Sequence, residues 1–276
     1  MRYINYIYKL EIMKHLFTII LFFVGLQVSN VQKESAFQEG EWFKFKMSYS
    51  GFLKAGNATL SLNETKLDGK PVFHVVGKGW TTGLIKAFFK VKDRYESYFD
   101  KETGVPYKFI RKIDEGGHTK DIEIKFDQKK KIAEVNNKKK KKTKTVATEQ
   151  DVQDMVSMYY HLRNSIEIAS LAQGDEIETN MFFDEENYGF KLKYLGKETI
   201  KVDINGSKVK VKTVKFRPYV MAGRVFKEEE SLTLWVSADK NKIPLKIKAD
   251  LAVGSLRAEL VEFKGLKHYF PIEFDN

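Results

Sequence analysis

Polar and apolar residues alternate along most of this chain, which is the pattern of β-strands that bury one face and expose the other. The alternation is regular in residues 230–264, where Leu245 and Ile247 fall on one side of a predicted strand and the lysines between and after them fall on the other. Turn residues at 239–242 divide this stretch, and Gly254 divides it again. It therefore predicts a three-stranded antiparallel meander.

The same alternation recurs on both sides of the middle of the chain. Residues 41–77 predict a second meander, and further strands are predicted between 94 and 135 and between 174 and 216. In the last of these strands the apolar residues change phase near Thr213, which predicts a β-bulge. We therefore predict a mainly β fold, a long bent antiparallel sheet or incomplete barrel built of meanders.

Two stretches depart from the alternation and predict helices. Residues 148–163 carry apolar residues at helical spacing, with Thr148 as the predicted N-cap, and they predict a helix that covers one face of the sheet. Residues 79–91 predict a short helix with one apolar side. That side consists of Leu84, Ile85, Phe88 and Phe89.

The positive charge of the chain is concentrated in two places. The formal net charge is +11 over 276 residues, but residues 129–144 carry +8 of it and residues 1–30 carry +2. The remainder is nearly neutral, which argues against the broad basic surface of a nucleic-acid-binding protein. Because a run of lysines repels itself and cannot pack, residues 136–147 are predicted to form a mobile lysine-rich loop. Such a loop would suit contact with an anionic envelope surface.

The N-terminal segment has the composition of a secretory signal. Lys14 precedes an apolar run that ends at Leu26, and this run is too short for a comfortable transmembrane helix. We predict a signal peptide over residues 1–30 and a single β-rich domain over residues 37–270. The protein is therefore expected to be exported to the periplasm or elsewhere in the cell envelope. The chain has no cysteine, so it offers neither a disulfide nor a thiolate nucleophile.

Sequence motifs of known chemistry are not found. None of the five histidines has another three or four residues away, and no nucleophile elbow or phosphate-binding loop occurs. We therefore predict no catalytic residue, no metal and no cofactor. Clustered carboxylates, as at 184–186, are expected on the surface beside turns. A glycosidase would need two carboxylates about 5–10 Å apart in one cleft.

Apolar residues that interrupt the sheet favour a binding protein. A bent sheet under one helix can enclose an apolar groove, with the segment 79–91 at its border. The residues predicted to line the groove are Trp80, Leu84, Ile85, Phe88, Phe89 and Tyr159. Glycines around this segment give it hinge freedom, so we expect it to move when a ligand binds. The alternative is that these aromatic residues fill the core.

We therefore predict a monomeric, non-catalytic envelope protein that binds a lipid or another apolar or amphipathic ligand in a groove between sheet and helix. Two alternatives stay open. One is a carboxylate-dependent hydrolase acting on envelope carbohydrate or lipid, which two buried carboxylates facing one cleft would favour. The other is a structural or partner-binding envelope protein, which a filled core without a cavity would favour.

Four groups of residues at turns and strand starts form a characteristic set. They are Gly40-Glu41 with Ala55–Ala58, Ser97–Asp100 with Pro106, Asp154–Tyr160 with Arg163, and Trp235–Asp239 with Ile243-Pro244 and Gly254-Ser255. Together they resemble the exported bacterial proteins of domain-of-unknown-function family 3108, over about residues 39–265. The resemblance implies a fold but no reaction. The long sheet and covering helix of the family are similar in outline to those of the Lol-type periplasmic lipoprotein carriers, which is an analogy of fold alone.

Overall fold

The computed structural model describes residues 34–219 and 232–274, and from Ser35 onward these residues form one compact unit. The signal peptide predicted over residues 1–30 lies outside the described residues. Strands dominate the described part, which also contains two α-helices and one 3-10 turn. The predicted fold class, mainly β with one covering helix and one short helix, is confirmed.

The strands follow one another along the chain as extended meanders. The first eight are β1 (Trp42–Tyr49), β2 (Leu53–Leu67), β3 (Lys70–Thr81), β4 (Lys92–Asp100), β5 (Pro106–Glu115), β6 (His118–Asp127), β7 (Ile132–Asn137) and β8 (Lys142–Ala147). The others are β9 (Glu176–Phe183), β10 (Glu186–Ile204), β11 (Ser207–Tyr219), β12 (Leu232–Ser237), β13 (Pro244–Asp250), β14 (Ser255–Lys264) and β15 (Glu273–Phe274). The helices are α1 (Gly83–Phe88) and α2 (Met155–Ser165), and the 3-10 turn is Ile168–Ser170.

Pairing between β1 and β14 joins the two meanders into one antiparallel sheet. Its outermost strands are β8 and β9, and no ladder joins these two in the described part of the chain, so the sheet does not close into a barrel. Side chains bridge the gap instead. Asp184, in the β9–β10 turn, accepts hydrogen bonds from Arg111 and Lys120 at 2.6 and 2.7 Å. Asn187 Nδ2 donates to the carbonyl of Ala147 at 2.9 Å.

Helix α2 begins later than predicted. Its N-cap is Asp154, whose carboxylate accepts from the backbone N–H groups of Val156 and Ser157, and Ser157 completes a capping box. The predicted N-cap, Thr148, is wrong because the chain turns at residues 150–151, where Asp151 has a φ of 52°, and then pairs with β9 before the helix begins. Gln153 N donates to the carbonyl of Asn180 on β9 at 2.9 Å, and this edge pairing prevents a helical turn there.

The lysine-rich segment belongs to the sheet, so the loop predicted over residues 136–147 is wrong. Strand β7 ends at Asn137 and β8 begins at Lys142, which leaves only residues 138–141 for the turn. In β8, β-branched threonines alternate with lysines and Val146 packs against the core. Lysines on an outermost strand also discourage pairing with another chain.

Core side chains fill the space between the sheet and α2. Phe37 meets Tyr160 edge-on with ring centroids 4.8 Å apart, and both rings contact Phe99. Farther along α2, Met158 and Leu162 pack against β10, β11 and β12. A crevice of about 170 Å³ lies beside the aromatic cluster of Phe37, Phe99 and Tyr160. The groove predicted between sheet and helix is therefore occupied by protein.

The two ends of the sheet differ in what lies over them. At one, called here the helix end, α2 meets the segment before β1 and the loop after β12. At the other, called here the open end, six described connections emerge because antiparallel hairpins alternate between ends. They are residues 50–52, 82–91, 116–117, 138–141, 184–185 and 251–254, most of them exposed.

Candidate functional site

A groove of about 820 Å³ lies beside α1, next to the open end. Strands β3, β4 and β5 form its floor, and α1 with the residues that follow it forms one wall. Lys78 and Trp80 contribute from β3, and residues two apart on a strand share a face. Phe73 and Val75 of the same strand point to the core on the opposite face. The groove is therefore on the outer face of the sheet.

Positive charge dominates this groove. Its cations are Lys78, Lys86, Lys90, Lys92, Arg94 and Lys112, and its carboxylates are Asp93 and Asp114. Three of the cations have a carboxylate within 4.0 Å. The other three, Lys78, Lys86 and Lys92, form no ion pair with the described carboxylates. Apolar surface comes from Trp80 and Val91, whereas the side chain of Ile113 is buried. The groove thus combines an apolar floor with cations that lack a counter-charge.

Hydrogen bonds fix the base of the wall that contains α1. Thr81 N donates to the carbonyl of Val91 at 3.2 Å, and Val91 N donates to Thr81 Oγ1 at 2.8 Å. Gly116 N in the β5–β6 turn donates to the carbonyl of Lys90 at 2.8 Å. On the other side, β2 approaches so closely that a Cβ on Gly56 would overlap the carbonyl oxygen of Trp80. The segment therefore leaves and rejoins the sheet at a firm base.

Two carboxyl groups, those of Asp93 and Glu115, lie together where the groove meets the open end. Burial raises the pKa of Asp93 to about 6, and the negative charge of Glu115 adds to the rise. The backbone N–H of Asp114 donates to Asp93 Oδ1 at 3.3 Å, and this hydrogen bond opposes the rise in pKa. Asp93 therefore changes charge at mildly acidic pH, which alters the net charge of the groove.

His74 and Glu96 occupy the same outer face beyond the groove. His74 stacks on Tyr98 with ring centroids 4.0 Å apart, and its Nε2 lies 2.8 Å from Glu96 Oε2. Arg94 Nε donates to the other carboxylate oxygen at 2.7 Å. Burial alone would raise the pKa of Glu96, but the bonds to Arg94 and His74 lower it below its usual value. Glu96 is thus an ion-paired carboxylate, which makes it a weak base.

Of the residues predicted to bind a ligand, Trp80 lines the groove and Tyr159 does not. Tyr159 lies at the helix end, where its ring is 5.2 Å from the guanidinium of Arg163. The structure therefore separates the two predicted aromatic residues.

The apolar side of α1 faces solvent. Leu84 is 70% exposed and Phe88 is 86% exposed, and no residue of α1 is buried. Ile85 is partly buried, and Phe89, just after the helix, lays its ring over Gly116. These four residues thus neither fill the core nor line the groove, which neither of the interpretations drawn from the sequence anticipated.

Arg163 is the buried centre of the helix end. Its Nη1 and Nη2 donate to the two carboxylate oxygens of Glu41 at 2.6 and 2.7 Å, and its Nε donates to the carbonyl of Asn241 at 2.9 Å. The guanidinium also lies within 5.8 Å of the ring centroids of Phe37 and Phe43. One signal in the sequence could have revealed this: an arginine on the buried stripe of a helix requires a buried partner.

A family model described as "Protein of unknown function (DUF3108)" matches residues 44–261, which is more than half of the chain. The chain belongs to the DUF3108 family. This confirms the resemblance found in the sequence. DUF3108 membership accounts for the shared turns and strand starts, but its description assigns no activity.

Solved structures show what fold the DUF3108 chain shares. A β-barrel-like protein of domain of unknown function DUF1849 from Brucella abortus is similar with a TM-score of 0.57 and 11% identity, covering 84% of this chain and 99% of that one. At this identity the likeness shows the fold alone. A protein with a YmcC-like fold from Bacteroides fragilis covers 83% of this chain and 97% of its own at 8% identity. Its TM-score of 0.31 is too low to support an argument. No curated protein matches the chain.

Residues 34–219 and 232–274 contain neither a cluster of metal ligands nor a helix able to span a membrane. No group of three or more His, Asp or Glu side chains in these ranges is arranged to hold a metal ion. None of the helices there has the length and apolar composition needed to span a bilayer.

Proposed function

We propose that this DUF3108 protein is exported to the cell envelope and binds an anionic amphipathic ligand in the groove beside α1, without catalysing a reaction. The observation that carries the proposal is the combination of three unpaired lysines with an apolar floor in one groove. Unpaired cations attract an anionic headgroup, and apolar surface gains free energy when an acyl chain covers it.

The dimensions and arrangement of the groove suit a single-chain lipid. Its volume of about 820 Å³ is within the usual range of roughly 300–1,000 Å³ for small-molecule sites. Lys78 and Lys92 lie on adjacent strands and would contact the headgroup. The acyl chain would lie along Trp80 and Val91. The ligand class is therefore an anionic lipid with one acyl chain.

Export is supported by the sequence. Lys14 and the apolar run ending at Leu26 have the pattern of a cleaved signal, and the +2 charge of residues 1–30 fits its basic start. Cell fractionation with intact-mass measurement tests this. The expected result is a protein in the envelope fraction that lacks about 30 residues, and a full-length cytoplasmic protein would refute it.

Calorimetric titration tests the ligand with two defined probes, lysophosphatidylglycerol and lysophosphatidylcholine below their critical micelle concentrations. We expect the anionic probe to bind at least about tenfold more tightly than the zwitterionic one, since paired charge adds to apolar burial. Replacing Lys78 and Lys92 together by Gln should abolish this preference. Replacing Trp80 by Ala should weaken the binding of both probes.

A matched control is available in a second cationic groove of about 370 Å³, lined in part by Lys46 and Lys208. Replacing this pair by Gln removes the same charge at a different place and should leave binding unchanged. Equal affinity for both probes, or equal loss in both double variants, would refute the proposed site.

The carboxylates Asp93 and Glu115 are the one observation that favours a hydrolase. Glu115 raises the pKa of Asp93, so the two carboxyl groups interact directly, whereas glycosidases keep their two carboxyl groups at least about 5 Å apart; glycoside hydrolysis is therefore disfavoured. Asp93→Asn would remove turnover of any substrate that relies on this pair, whereas it should not weaken binding of the anionic lysolipid, because it removes a negative charge from the groove.

A further inference from the structure

Exposed apolar side chains are concentrated at the open end. Among the described residues, large hydrophobic side chains are strongly exposed at eight positions. Six of them lie on the connections of the open end: Phe52, Leu84, Phe88, Phe89, Leu251 and Val253. The other two, Tyr269 and Phe274, belong to the C-terminal segment near the helix end. Clustered exposed apolar residues mark an interaction surface.

Neighbouring tips at this end are tied together. Ser50 N donates to the carbonyl of Ser255 at 2.6 Å, and the hydroxyl of Tyr49 donates to the carbonyl of Val253 at 2.8 Å. Thr82 N, at the start of α1, donates to the carbonyl of Ala55 on β2 at 3.1 Å. The apolar residues therefore project from connections that are hydrogen-bonded to neighbouring parts of the sheet, namely the β1–β2, α1 and β13–β14 connections.

Lysines surround these apolar tips. Lys54 is exposed on the strand that follows Phe52, and Lys86 lies on α1 between Leu84 and Phe88. Farther along the same end, the β7–β8 turn consists of four lysines, residues 138–141. Lys140 and Lys141 there pair with no described carboxylate. Apolar residues set among cations are the composition of a surface that binds anionic lipid.

We propose that the open end docks the protein on an anionic phospholipid bilayer. Phe52, Leu84, Phe88 and Val253 enter the boundary between headgroups and acyl chains, and the lysines contact the phosphates. The connection between β11 and β12 lies outside the described residues, and the surface is defined without it. Docking stands without the groove ligand, but if the proposed function holds, it also brings the groove mouth, bordered by Lys86, to the source of lipid.

Vesicle flotation tests docking, with protein purified from the envelope and its N-terminus established by intact mass so that all variants are the same length. Vesicles of phosphatidylcholine are compared with vesicles containing about one-third phosphatidylglycerol. We expect binding to the anionic vesicles alone, falling as salt is added because added salt screens the lysines.

Replacing Leu84 and Phe88 together by Ser should lower the bound fraction about tenfold or more, since the apolar contact is lost. Tyr269→Ser, which removes an equally exposed aromatic residue at the opposite end, should have no effect. Replacing Lys140 and Lys141 by Gln should reduce binding to anionic vesicles. Equal binding of all these variants would overturn the proposal, as would self-association through Leu84 and Phe88 in sedimentation velocity without vesicle binding.

The groove variant with Lys78 and Lys92 replaced separates this proposal from the proposed function. It should still float with anionic vesicles while losing its preference for the anionic lysolipid. Wild-type protein that floats with vesicles but binds no lysolipid would refute only the proposed groove ligand. Wild-type protein that binds lysolipid but does not float would refute only the docking proposal.

Discussion

The two ends of the sheet differ in which side chains they bury: charged side chains are buried at one end, and apolar side chains are exposed at the other. At the helix end, Arg163 and Glu41 are 3% and 1% exposed and hydrogen-bonded to each other. At the open end, Leu84 and Phe88 face solvent. Burying a charge costs free energy unless it is paired, and exposing apolar surface costs free energy unless a partner covers it. The helix end therefore contributes to the stability of the fold, whereas the open end leaves apolar side chains uncovered by the rest of the described chain.

The largest expected effect is at the helix end. Arg163→Ala leaves Glu41 buried without its partner and should lower the free energy of unfolding by about 3–5 kcal/mol. Urea unfolding measures the change. Replacing Arg163 and Glu41 together by Met should cost less than the single replacement, because no charge remains buried. Lys191→Ala, which removes exposed pairs with Glu176 and Glu178, is the control and should cost less than about 1 kcal/mol. Equal losses for Arg163 and Lys191 would remove the distinction.

A second effect at the helix end concerns the cap of α2. Asp154 is fully buried and accepts from the hydroxyl of Ser97 at 2.5 Å as well as from the helix N-terminus. Asp154→Ala should cost about 2 kcal/mol, at the upper end of cap deletions. Asp154→Asn should cost less, because Asn is an equally good cap. If Asn proved as damaging as Ala in the same unfolding assay, the negative charge rather than the cap would be what matters.

At the open end, the carboxyl pair makes stability depend on pH. Folding raises the pKa of Asp93 from 3.8 to about 6, so the folded state holds the proton more tightly than the unfolded chain does. Stability is therefore greatest below about pH 4 for this group and is lost as the pH rises through about 6. Asp93→Asn should stabilise the protein at pH 7 by about 1 kcal/mol, a value reduced for partial exposure, and should have little effect at pH 4. A gain that is the same at both pH values would contradict this origin.

The smallest effect separates the two ends most cleanly. Phe88→Ala should change stability by less than about 0.5 kcal/mol, because the ring is exposed. Phe99→Ala, which removes a ring buried beside α2, should cost about 3–5 kcal/mol. Both are measured by the same urea titration. A large loss for Phe88 would place it in the core and weaken the docking proposal.

Strand prediction succeeded where burial follows local alternation and failed where it depends on distant elements. The change of phase in β11 was interpreted as a bulge near Thr213, but the pairing with β10 runs without a shift through that residue. Val209 and Val211 pack into one buried cluster, and Val214 and Phe216 pack into another on the opposite face. The register shift lies near Gly196 on the neighbouring strand. Local pattern cannot tell a bulge from a strand whose two halves are covered on different faces.

The candidate site was predicted less well than the fold. The prediction that Trp80 lines a groove was correct. The cations of the groove were not predicted, because they come from β3, β4, β5 and the segment around α1, and only strand pairing brings them together. In the sequence these lysines are indistinguishable from the solvated side chains of exposed strand faces. The segment 79–91 does border a groove, whereas its movement on ligand binding stays a prediction.

By itself, the sequence determined most of the strands, the short helix beside Trp80 and the family, because period-two alternation, turn residues and motifs are properties of neighbouring residues. Tertiary structure decided which side chains meet. Arg163 and Glu41 are 122 residues apart in the chain, and their pairing follows from where α2 lies on the sheet. It also decided that Leu84 and Phe88 stay exposed, since an apolar side chain is buried only if another element covers it, and α1 lies at the end that no other described element covers.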